Sequence, residues 1–174
     1  MAPESEQNAA CEVAHGNVEP TVETRTLLAV FASPVSGFLL TYARDLGYRT
    51  VLFEPDPARA AEARGGGFDV VGTAPELDDS ADVVVTDHHR TELGTALFAV
   101  LAHPARWIGV LGNPRHPGPH RDALAALGAD RSDIDRVHRP VGLNIGSRTP
   151  PEIAIATLAG LLADRNGRPG GFDF

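Results

Sequence analysis

The sequence predicts an α/β protein, a doubly wound, mostly parallel sheet covered by helices on both faces as a three-layer sandwich. Three observations predict it. Strand-like segments are continuous apolar runs rather than alternating ones, as expected for strands buried on both faces. They alternate with segments whose apolar residues recur at helical spacing. Turn chemistry falls at the joints: capping residues, prolines at first helical positions and glycine stops.

The elements follow in order. "TLLAVFA" (26–32) is the first strand. Val35, Phe38, Leu39, Tyr42, Ala43 and Leu46 then mark one helix face, closed by Gly47. "YRTVLFE" (48–54) is the second strand, and Asp56-Pro57 reads as an N-cap and first helical position for "PARAAEAR", which stops at Gly65. "FDVVG" (68–72) is a candidate short strand and "ADVVVTD" (81–87) a clear one. Leu93, Ala96, Leu97, Val100 and Leu101 return to helical spacing. "RWIGVLG" (106–112) is a strand, "HRDALAALG" (120–128) a helix, and "RSDIDRV" a short helical turn capped by Ser132. The last helix is introduced by Thr149 and Glu152, a capping box, with Pro150 at the first position. Ala154, Ile155, Leu158, Leu161 and Leu162 form its expected buried face. Residues 1–24 read as a disordered polar leader, 25–165 as one domain and 166–174 as a flexible tail.

Composition narrows the function. The 174 residues carry a formal net charge of −8, so nucleic acid and anionic membranes are not expected partners. No stretch is long enough to span a bilayer and the acidic leader is not a signal peptide, so a cytoplasmic location is expected. Cys11 is the single cysteine, which excludes an internal disulfide and a Cys-rich zinc site. The chain has no lysine, which excludes a P-loop and Schiff-base chemistry.

In such a fold, ligands bind outside the carboxyl ends of the strands. "ASPVSG" occupies the place of a dinucleotide-binding glycine turn, with Ala32 and Ser33 at the early positions and Gly37 left for helix packing. Ser33 and Ser36 are either helix caps or hydroxyl donors to a compact anion. Glu54 stands where an acid bonds a ribose, or is a turn carboxylate. Thr86 to His89 end a central strand. They read as polar loop residues or cofactor partners, with a metal site using Asp87 and His116 a weaker alternative. Gly112 permits a sharp turn, and Asn113, Arg115, His116 and His120 form a local basic group able to grip an anion, or a solvated turn shaped by three prolines. Asn144, Gly146 and Arg148 precede a helix start and add to the same candidate site. No catalytic residue and no metal ligand stand out.

The residues also carry a resemblance. "VGLNIGSRTPPEIAIATLAGLL" resembles the closing motif of the XdhC/CoxI family, P-(I/V)-G-L-x-I-G-(A/S)-R-T-P-x-E-I-A. "WIGVLGNPRHPGPHRDALAALG" is similar to its strand–loop–helix segment. "VVVTDHHRTELGTAL" resembles its V-V-x-T-H-x-H segment, with Asp87 in place of the first histidine. The likeness runs over about residues 26–165. It implies a Rossmann-like domain of an accessory protein for molybdenum hydroxylases such as xanthine and carbon monoxide dehydrogenases. Family members bind the molybdenum cofactor (molybdopterin), support its sulfuration and help deliver it. This chain resembles the Rossmann-like domain alone, without the first domain and its cysteine-bearing segment, and that role is not carried to Cys11. The family's G-A-G-H-V-style first turn is replaced by "ASPVSG".

The expected function is cofactor or client binding rather than catalysis. The expected cofactor-binding residues are Ser33, Ser36, Glu54, Thr86, His88, Gly112, Asn113, Arg115, Asn144, Gly146 and Arg148. Expected partners are a molybdenum hydroxylase subunit, a separate XdhC N-terminal-type protein, or a second copy in a homodimer. The alternative is a ligand-free interaction module. An NAD(P)-dependent oxidoreductase is disfavoured by the lost glycines.

Overall fold

A computed structural model describes residues 11–19, 23–113, 115–116 and 118–171. Parts of the leader (1–10, 20–22) and tail (172–174), with Pro114 and Pro117 of the proline-rich turn, lie outside the described residues. Residues 11–14 are helical.

Six parallel strands form one sheet in the order β3-β2-β1-β4-β5-β6. In chain order the elements are β1 (Arg25–Val30), α1 (Pro34–Asp45), β2 (Tyr48–Phe53), α2 (Pro57–Gly65), β3 (Val70–Val71), β4 (Ala81–Val85), α3 (Leu93–Leu101), β5 (Trp107–Val110), α4 (Pro119–Ala126), α5 (Arg131–Asp135), β6 (Val137–His138) and α6 (Pro150–Arg165). The strand order reverses between β1 and β4, so the switch point lies between the turn after β1 and the loop after β4.

Alternation along each strand feeds two cores. Leu28, Val30, Val83, Val85, Ile108 and Val110 pack with α3 and α4. Leu27, Ala29, Leu52 and Val84 pack with α1, α2 and α6 on the other face. Both faces are therefore apolar, which is why these strands read as unbroken hydrophobic runs.

At the amino edge of the sheet, buried Asp82 accepts from Arg106 at 2.7 Å and from Arg165 at 3.0 Å, tying the end of α6 beneath β4. The loop after β6 presses onto α6 so closely that a Cβ on Gly142 would lie 2.9 Å from the Ala156 carbonyl. Gly142 also has φ of +87°, so it is glycine for two separate reasons.

Three expectations need correction, and one strand was not expected. Asp130, not Ser132, stands at the N-cap of α5, and Ser132 lies inside the helix. The two-residue strand β6 carried no sequence signal of its own, being too short for any period to show. Phe38, Leu46 and Ile155 are exposed, while Leu40 is buried. Helix α1 packs against α6 as well as the sheet, which turns its buried arc toward Leu39, Leu40 and Ala43. Gly37 does not serve close packing, since an added Cβ would meet only the Phe68 ring at 3.8 Å.

Candidate functional site

The carboxyl edge has two halves, and the first is built around the turn after β1. The chain leaves the strand through Phe31 at φ +73°, a left-handed conformation that costs a bulky residue energy and that glycine ordinarily supplies. Glu54, at the end of β2 and wholly buried, holds this turn. Its oxygens accept from Ala32 N at 2.7 Å, Asp56 N at 2.9 Å, and the two terminal nitrogens of Arg90 at 3.0 and 2.9 Å. Four bonds fill the four acceptor positions that a carboxylate offers. Burial pushes the Glu54 carboxyl up, but the Arg90 and backbone donors outweigh it and leave its pKa lowered. Arg90 also binds Glu92, lies 4.7 Å over the Phe31 ring, and holds the Glu92 carboxyl at about 2.

Ser33 and Ser36 complete the closure. Ser33 Oγ accepts from Ser36 N at 3.1 Å, and Ser36 Oγ accepts from Ser33 N at 2.9 Å, a reciprocal capping box. Ser33 Oγ donates to Thr86 Oγ1 at 2.9 Å, and Thr86 donates onward to the Phe31 carbonyl at 2.9 Å. Gly37 N bonds the Ser33 carbonyl, and Pro34 has no N–H to offer. The amides of Ser33, Ser36 and Gly37 at this helix start are engaged inside the protein.

The second half is open. A cleft of about 810 Å³ on the α1–α6 face is lined by Thr86, His88, Gly112, Asn113, Arg115 and Asn144. The structure thus gathers six of the expected site residues from three loops that follow β4, β5 and β6. Val35, Leu111, Val141, Leu143 and Ile153 supply apolar wall, and Ser147 a hydroxyl. Asn113 Oδ1 accepts from Arg115 N at 2.9 Å, which shapes the loop and leaves Arg115 exposed. Burial, with His89 and Arg139 nearby, lowers the His88 pKa, so its ring is a neutral hydrogen-bonding group near pH 7.

Other expected residues stand apart from this cleft. Ser33 and Ser36 line a separate recess of about 600 Å³ between α1 and α2. Glu54 lies beneath the first turn. Gly146 sits at φ +71° with open space around it, and Arg148 is exposed, its backbone N–H held by Glu152. Glu152 and Thr149 form the expected capping box of α6. Among the described residues no group of three or more His, Cys, Asp or Glu is placed to hold a metal, and no helix is long and apolar enough to cross a membrane.

Two residues escaped the sequence reading. Arg90 was hidden in a polar loop, its partner Glu54 lying 36 positions away. Arg139 follows β6 and lays its guanidinium across Gly112, where any Cβ would collide with it, bonding the Asn113 carbonyl at 3.1 Å. Gly112, expected for a sharp turn, is the residue whose lack of a Cβ makes room for that guanidinium.

Comparison with known proteins agrees with this fold. The family model of the XdhC Rossmann domain matches residues 27–161. The protein YqeB of Escherichia coli strain K12, described as uncharacterized, is 34% identical over 111 residues, covering 64% of this chain and 19% of that protein. A crystal structure described as a xanthine dehydrogenase from Bacillus halodurans superposes with a TM-score of 0.65 at 23% identity, over 83% of this chain and 45% of that one. The chain spans about a fifth of the first relative and less than half of the second.

Proposed function

We propose, from the premise that this chain belongs to the XdhC Rossmann-domain family, that it acts as an accessory in the maturation or insertion of the molybdenum cofactor of xanthine or carbon monoxide dehydrogenase-type enzymes. On this reading it binds cofactor or client and turns over no substrate. The observation that carries the proposal is the cleft uniting Thr86, His88, Gly112, Asn113, Arg115 and Asn144.

The lining suits molybdopterin. A pterin needs apolar walls and polar groups at its edge, and its phosphate needs a cation. Leu111, Val141, Leu143 and Ile153 offer the walls, Asn113, Asn144 and Ser147 the edge contacts, and Arg115 the cation. When bound, the cofactor supplies the molybdenum redox chemistry used by the client enzyme. No cysteine lines this cleft, so its residues hold and orient rather than transfer sulfur. The partner on this reading is a hydroxylase subunit or a separate XdhC N-terminal-type protein.

A ligand-free interaction module is the second reading, favoured by one observation: the polar groups of the first turn are already paired within the protein. Titration with molybdopterin separates the two. The expected result is a saturable rise in Tm that is lost in Arg115→Gln, with NADH giving none. An unchanged Tm, together with co-purification of a hydroxylase subunit, would replace cofactor binding by the module.

A further inference from the structure

We infer that Arg139 is the positioning residue of the α1–α6 cleft. From outside that cleft it holds the loop after β5 in the shape that presents Asn113 and Arg115 to a ligand. This rests on the accessory reading and adds to it a residue that does not touch the ligand. Arg139 lines a neighbouring cleft beside α3 and α4 and is not among the described residues lining the α1–α6 cleft.

The loop needs such a hold. Leu111 is still tied to the sheet, its N–H donating to the Val85 carbonyl at 2.9 Å. Beyond it the described loop residues bond to one another. Asn113 Oδ1 accepts from Arg115 N at 2.9 Å, and the Asn113 carbonyl accepts from His116 N at 3.1 Å. A segment closed only on itself is free to swing as a unit. Among the described residues, Arg139 supplies the hydrogen bonds that fix it from another loop. Its guanidinium donates to the Leu111 carbonyl at 3.5 Å and to the Asn113 carbonyl at 3.1 Å, spanning Gly112. A planar fork can reach both carbonyls at once, which a single-point donor cannot.

The strut is rigid at its root. His138, the residue before it, stands in register with Gly109 of β5, so Arg139 starts from the sheet itself. Its stem passes over Gly118, where an added Cβ would lie 3.0 Å from Arg139 Cδ. Its path across Gly112 accounts for that glycine. Gly112 is not in the left-handed region, and the three atoms nearest an added Cβ all belong to the Arg139 guanidinium. A methyl group there would push aside the flexible end of a side chain rather than the backbone. It would release the hold and leave the fold standing. With the hold in place, Asn113 and Arg115 are set before a ligand arrives, which lowers the ordering cost of binding.

The test is a double-mutant cycle on the full chain with Arg139→Ala and Gly112→Ala. It is read by hydrogen exchange at the Arg115 and His116 amides and by molybdopterin affinity. Each single variant should speed exchange at both amides and weaken molybdopterin binding about tenfold, because Asn113 and Arg115 must then be ordered by the ligand. The double variant should bind no worse than Arg139→Ala alone, since the group that the methyl displaces is already gone. A methyl that clashed with the ligand itself would add to the loss, and additive losses overturn the inference. Parent-like exchange or parent-like affinity in Arg139→Ala also overturns it. Should Arg139→Ala not fold, Gly112→Ala decides: weaker binding with faster exchange at both amides supports the role, and unchanged exchange overturns it. If the parent binds no molybdopterin, the accessory reading falls and this role with it. If the parent binds and Arg139→Ala binds equally well, this role alone falls.

Discussion

The turn after β1 and the loop after β5 occupy equivalent places at the carboxyl edge of one sheet, and they have been furnished in opposite ways. Around the first turn, Glu54, Arg90, Ser33, Ser36 and Thr86 satisfy one another and the backbone. Around the second, Gly112 makes room for the Arg139 guanidinium, which bonds carbonyls and meets no acid among the described residues, and Arg115 is exposed. A polar group already paired inside the protein contributes to stability but has little left for a ligand. One still unpaired contributes little to stability and is available for recognition. The difference teaches that the turn after β1 has become a structural knot here, and that the open cleft lies on the β4–β6 half.

Removing the centre of the knot should have the largest effect. Glu54→Ala leaves Arg90, whose side chain is 9% exposed, with only the half-exposed Glu92 as its carboxylate, and deprives two backbone amides of their acceptor. Losing one partner of a buried ion pair typically costs about 3–5 kcal/mol, and chemical denaturation should show a loss of that order. A loss near zero would break the comparison. The same carboxyl gives a pH signature. Its pKa is lowered on folding, so its stabilisation is complete above the unfolded value of about 4.3 and disappears as the pH falls through the lower folded value. The acid limb of stability should therefore be flatter in Glu54→Ala than in the parent.

Ser33→Ala should cost less, about 1 kcal/mol for a lost cap, with Thr86 losing its donor as well. Arg115→Ala should be smallest of all in thermal or chemical denaturation, within about 0.5 kcal/mol, because the side chain is exposed. If Arg115→Ala proved as damaging as Ser33→Ala, the open half would be structural too.

How much of this was legible follows from the range of each interaction. The serines at 33 and 36, the Asp56 cap and the Thr149–Glu152 box are contacts within a few residues, and the chain announces them locally. The strands announce themselves because both of their faces are buried. The role of Glu54 was not legible, since its spacing suited a ribose as well as it suited Arg90. Nor was the left-handed turn at Phe31, a residue that reads along the chain as part of the first strand. Exposure of Phe38 and Ile155 depended on how α1 and α6 lie against each other, which no single-helix pattern contains.

The order of strands and helices, the location of the loops at one edge, and the family were determined by residues read along the chain. Which of those loops closed upon itself and which stayed open was decided by contacts between residues far apart in sequence, such as Glu54 with Arg90 and Gly112 with Arg139. The physical reason is that hydrophobic periodicity and capping act over one or two turns, whereas the pairing of a buried charge is settled only when the folded sheet brings its partner within hydrogen-bonding distance.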